Sequence, residues 1–157
     1  MTRPSNMTLD DVAARIDLIA DATDETLATA APALADELLA LGEAILDHWI
    51  TAHAATPTAG MVEGFRLLAL HRQAARGDPT FNACRESCRE LVYHHNLVRL
   101  DPGHADVARR LRLAAMVARH LALFIAGKLE VAGLGEFCCS SRPLRQREMM
   151  STTAEPI

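Results

Sequence analysis

Aromatic side chains are scarce in this chain: one Trp, one Tyr and four Phe make up 4% of 157 residues. Strands favour Val, Ile, Thr and aromatics, so a half-apolar sequence rich in Ala and Leu reads as helix. Few ring faces are available to stack on a porphyrin, and the Cys-x-x-Cys-His haem-attachment motif is absent. A Gly-rich phosphate loop and a nucleophile elbow are absent too. So are the Glu-x-x-His pairs of di-iron bundles, which argues against a ferritin-like oxygen enzyme even though Glu43 and Asp47 stand near His48.

Positive charge is not in excess. With 16 basic and 20 acidic residues the net charge is −4, so no bulk cationic field draws nucleic acid or an anionic membrane surface. Arg142, Arg145 and Arg147 form a short basic stretch that reads as solvated tail. A long apolar run is also missing. The most apolar stretch, 113–126, contains Arg119 and His120 and is too short to span a bilayer. The opening MTRPSNMTLDDV has no apolar stretch after Arg3, so no secretion signal is expected. The expected location is the cytoplasm, where four cysteines serve as thiols, ligands or redox groups rather than structural disulfides.

What is present is helical spacing. Thr8, with Asp11 three residues on, has the pattern of a capping box, and Val12, Ile16 and Ile19 follow on one face. Thr23-Asp24-Glu25-Thr26 reads as a break or a second cap. Pro32 suits the first turn of a helix running to about Ala55, with Leu34, Leu38, Leu41, Ile45 and His48 in one row. A third helix is expected over 59–76, with Met61, Phe65 and Leu68 inward, and Gly77 stopping it. Asp78-Pro79 and Asp101-Pro102 read as caps of a fourth and a fifth helix. The fifth carries the row Val107, Leu111, Ala114, Ala118, Leu121, Ile125 and Leu129, and a second row through Leu113, Val117, His120 and Phe124. Periodicity ends after Gly133 and Gly135. The expected architecture is one all-α domain over 8–135, an up-down four-helix bundle with an additional N-terminal helix, followed by a flexible Cys-containing tail over 136–157.

The segment FNACRESCRELVYHHNLV, 81–98, carries the chemistry. Phe81, Cys84, Cys88, Leu91, His95 and Val98 recur every three or four residues, so two thiols and an imidazole occupy seam positions. In antiparallel hairpins the turns set the height of each residue. His71 precedes the Gly77-Asp78 turn by about seven residues and Cys84 follows it by about six, which puts them level. The same counting brings His120 near that height and His48 within about a turn.

Side chains four apart on a helix are neighbours, and two thiolates so placed can grip a soft or borderline ion. Cys84, Cys88, His71 and His120, with His48 as an alternative, are therefore candidate ligands for zinc or iron, or for an iron–sulfur cluster. Such a centre would act in electron transfer, sensing or metallocentre assembly. Two other readings use the same residues. In one, the thiols are core filler in a helical interaction module or assembly factor that binds a protein partner. In the other, Cys138-Cys139 is a thiol switch, one of whose sulfurs folds back toward Cys84 as a resolving group. His53, Glu90, His94 and His104 are expected at the surface without a role.

Overall fold

A computed structural model of the chain describes residues 6–134. They form six helices packed against one another: α1 Leu9–Asp21, α2 Asp24–Thr29, α3 Ala31–Ala52, α4 Arg66–Ala75, α5 Asn82–Leu100 and α6 Val107–Val131. A 3-10 turn, Pro79–Phe81, leads into α5. Among the described residues there is no strand, only an isolated bridge between Val62 and Phe65. None of these helices is long and apolar enough to cross a membrane. Cys138, Cys139 and the expected tail lie outside the described residues.

The local signals act as their chemistry requires. Thr8 Oγ1 accepts from the Asp11 N–H at 3.1 Å, and the Asp11 carboxylate accepts from the Thr8 N–H at 3.3 Å. Such a cap stabilises a helix by about 1 kcal/mol. The Thr23 side chain caps α2 by accepting from the Thr26 N–H, which separates α1 from α3. Pro32 stands in the first turn of α3. Gly77 takes a left-handed φ of 74° just past α4, a conformation that costs a residue with Cβ.

Three expectations need correction. The third helix begins only at Arg66, not at 59. Before it the chain turns through Glu63 and Gly64, both at positive φ, a turn closed by backbone bonds between Val62 and Phe65, and side chains hold the segment that leads into it. Arg66 Nε donates to the Thr58 carbonyl at 2.9 Å, and Gln73 Nε2 donates to the Thr56 carbonyl at 2.8 Å. Met61, expected inward, is 69% exposed as a result. Finally, Asp101 is the C-cap of α5 rather than the cap of the next helix, and α6 starts at Val107.

α6 is the central element, packed on α1, α3 and α5. Its row from Val107 to Leu129 is buried, as are Leu34, Leu38, Leu41 and Ile45 of α3 and Val12, Ile16 and Ile19 of α1. Each fully buried Leu or Ile contributes about 1.5–3 kcal/mol. The second α6 row is only partly covered: Val117 and Phe124 pack against the core, while His120 is exposed. Arg66 pins α4 to α3 by bonding Asp47 at 2.9 Å and Glu43 at 3.3 Å.

At Gly42, α3 is packed tightly by Leu91 of α5 and Leu67 of α4. An added Cβ there would stand 3.0 Å from Leu91 Cδ1 and 3.4 Å from Leu67 Cδ1. Gly42→Ala should therefore be near neutral, because a helix-propensity gain of about 0.8–1 kcal/mol is offset by pushing the Leu91 methyl aside. Gly42→Leu should lose about 1–3 kcal/mol by overpacking, read as a lower urea midpoint with unchanged slope.

Candidate functional site

The site is set by the reversal between α4 and α5. Gly77 ends one helix, and Asp78 Oδ1 accepts from the Thr80 N–H at 3.1 Å to cap the next turn. Pro79 pre-sets the backbone of that turn. The start of α5 is thereby laid beside the end of α4. The Phe81 ring is fully buried, 5.1 Å from the Trp49 ring, 5.6 Å edge-on from Phe124 and 6.2 Å from His71, centroid to centroid. The Lys128 ammonium closes this cluster, 5.2 Å from the Phe81 ring and 5.3 Å from Trp49. It also bonds Thr80 Oγ1 at 2.7 Å and Asp78 at 3.0 Å. Hydrogen bonds from Thr80 and then from Lys128 hold the Asp78 carboxyl below its ordinary range.

The Phe81 carbonyl is the polar focus. His71 Nε2 donates to it at 2.8 Å, which identifies Nε2 as a protonated nitrogen, since a carbonyl only accepts. The Cys84 thiol, when protonated, donates to the same oxygen at 3.4 Å. One helical turn on, Cys88 is placed to donate to the Cys84 sulfur. That bond is the largest influence on Cys84 and lowers its pKa from the ordinary 9.0 to about 6. Burial opposes the shift, and His71 adds to it by hydrogen bond and by charge. Cys88 moves the other way, raised by its bond to Cys84 and by burial. Burial disfavours the charged form of His71, but its bonds to Cys84 and to the Phe81 carbonyl prevail and raise its pKa. The shifts run toward a thiolate on Cys84 and a neutral thiol on Cys88.

These groups are well covered: Cys88 is 0%, Cys84 2% and His71 8% exposed. Two cavities flank them. One of about 340 Å³ lies between α5 and α6, with Cys84, Ser87, His120 and Phe124 in its wall. The other, about 490 Å³, lies between α4 and α5 and has His71 in its wall.

His71 and Cys84 thus converge on the Phe81 carbonyl with Cys88 one turn along α5, and His120 lines the same cavity as Cys84. His48 goes elsewhere. Its Nε2 bonds the Met7 carbonyl oxygen at 2.8 Å, tying α3 to the residues before α1. Among the described residues no three His, Cys, Asp or Glu side chains come together as ligands for one ion. His95, on the cysteine seam, bonds Asp36 at 2.9 Å. His94, expected at the surface, has a buried Nδ1 without a hydrogen-bond partner, and burial lowers its pKa.

Sequence reasoning missed the Phe81 carbonyl, because a backbone acceptor has no side-chain signature; only the Asp-Pro turn signal pointed to it. Comparisons with family models, with curated proteins and with solved structures find no match. The function must therefore be argued from this site.

Alkylation requires the thiolate, so its rate falls about tenfold per pH unit below the thiol pKa. Mapped by mass spectrometry, Cys84 labelling by iodoacetamide should rise with pH through a midpoint near 6 and then level off. In His71→Asn that midpoint should move up toward 9.0, since two of the lowering influences are gone. Identical Cys84 profiles in native and unfolded protein would refute the thiolate.

Proposed function

We propose that this chain is a helical thiol-based redox sensor in which Cys84 is the reacting sulfur. The observation that carries this reading is the convergence of Cys84 and His71 on the Phe81 carbonyl, with Cys88 one turn away and Cys84 among the residues lining a cavity. The chemistry is that of a low-pKa cysteine with a hydroperoxide. The thiolate attacks one peroxide oxygen, an S–O bond forms, the O–O bond breaks, and hydroxide or alkoxide leaves and takes up a proton. Cys84 becomes a sulfenic acid, oxidised by two electrons, and the peroxide is reduced by two. A second thiol then attacks that sulfur, forms a disulfide and releases water. Cys88 is adjacent, but within one regular helix its side chain leans the same way as that of Cys84. Cys138 or Cys139 is the better resolving thiol. In this reading the chain is one domain over 8–135 with a Cys-containing tail, and α3 to α6 form an up-down four-helix bundle with α1 and α2 preceding it.

A second reading gives the same residues a metal ion. Two cysteines one turn apart, a neighbouring imidazole and His120 on the cavity wall are residue types suited to zinc, iron or an iron–sulfur cluster. Those side chains would have to close around the ion. The role would be electron transfer, sensing or metallocentre assembly.

The test is oxidation of reduced protein by hydrogen peroxide, with each cysteine mapped by mass spectrometry. Cys84 should appear in every product, each disulfide should cost two protons, dithiothreitol should reverse it, and Cys84→Ser should abolish it. A Cys138–Cys139 disulfide that leaves Cys84 as a free thiol would overturn the reading. Zinc or iron in anaerobically purified protein, lost in the Cys84→Ser/Cys88→Ser variant, would favour the second. Unchanged melting and partner binding in Cys84→Ala/Cys88→Ala, without peroxide reactivity in the parent, would leave a helical interaction module with inert core thiols.

A further inference from the structure

We propose that the cavity between α4 and α5 binds a small molecule bearing a phosphate or diphosphate group. Four arginines, Arg72, Arg76, Arg85 and Arg89, stand around it together with His71 and Asn82. In a chain with net charge −4 this is a local concentration of positive charge that the composition hides.

Three features make that concentration unfavourable without an anion. First, Arg72 and Arg76 are four apart at the end of α4, and Arg85 and Arg89 are four apart on α5. Like charges at that spacing repel, and here two such pairs confront each other across one cavity. Second, the usual neutralising partners are missing. Arg15, Arg66, Arg99, Arg112 and Arg119 each meet a carboxylate. Of the cavity arginines only Arg89 does so, with Glu63 at 2.9 Å, and the other three have no ion pair among the described residues. Third, the helix dipole suits Arg72 and Arg76 at a C-terminus but opposes Arg85, which stands at the beginning of α5 where no acidic residue balances it. An anion at that helix start satisfies both the dipole and the guanidiniums.

The chemistry of the walls narrows the ligand. Planar guanidinium forks match phosphate oxygens two at a time. Val62, Leu68 and Ala75 supply an apolar patch for the body of the molecule. A volume of about 490 Å³ suits a small molecule. The acidic balance of the rest of the chain disfavours a long polyanion such as nucleic acid. The inference does not depend on whether Cys84 reacts.

Inorganic pyrophosphate is the probe, titrated calorimetrically into the full chain. One saturable site is expected, weakening with added salt. Arg72→Ala and Arg85→Ala should each weaken it by about tenfold or more, because each removes a charge-assisted contact. Both arginines are exposed, so these variants should fold, with circular dichroism as the check. Arg109→Ala, on α6 away from the cavity, should bind as the parent does. No saturation at about 1 mM pyrophosphate, or equal binding by all three variants, would overturn the proposal. Citrate binding tighter than pyrophosphate would overturn the phosphate assignment, and tighter binding of a single-stranded oligonucleotide would overturn the small-molecule one.

Discussion

Phe81 holds one end of this molecule together through two unlike parts of the same residue. Its ring sits among Trp49, Phe124 and His71, and its carbonyl oxygen accepts from His71 Nε2 and, when Cys84 is protonated, from that thiol. The ring is positioned by burial and aromatic packing, worth several kcal/mol on truncation. The carbonyl position follows from the ring, because the short turn from Gly77 to Phe81 leaves the backbone little freedom. Lys128 reinforces this by bonding Thr80 and Asp78 from α6 while resting over the same rings. In a chain with so few aromatics, three of them are gathered at the place where α3, α5 and α6 meet the turn.

The electrostatics follow from that packing. A buried thiolate is costly unless hydrogen bonds and opposite charge stabilise it. Cys84 has both, from Cys88 and from His71, and His71 is in turn held by the Phe81 carbonyl. The imidazole lies between two unlike spaces. On one side is Cys84, in the wall of a cavity shared with Leu123 and Phe124; on the other is a cavity whose wall holds four arginines. A titratable ring in that position feels changes on either side.

Much of the helical framework was legible because its causes are local. The capping box at Thr8, the buried rows of α1, α3 and α6, and the stop at Gly77 depend on neighbours within one turn. The start of α4 was not legible. Gln73 and Arg66 hold an irregular segment whose own residues look compatible with helix, so a tertiary constraint overrides propensity there. For the site, residue counting across a turn brought His71 level with Cys84, and in the structure both side chains bond the Phe81 carbonyl. The same counting treated His48 as a neighbour, but its ring has a nearer acceptor in the Met7 carbonyl.

From the sequence alone came the helical class, the positions of most breaks and the face on which Cys84 and Cys88 lie, since a 3.6-residue period ties each side chain to its own helix axis. Which groups share a space was decided only by the tertiary structure. The two Arg-x-x-x-Arg pairs are visible in the sequence, yet their confrontation depends on the sharp reversal between α4 and α5. The acceptor that orients His71 is a backbone oxygen, present at every residue and therefore invisible until the fold selects one of them.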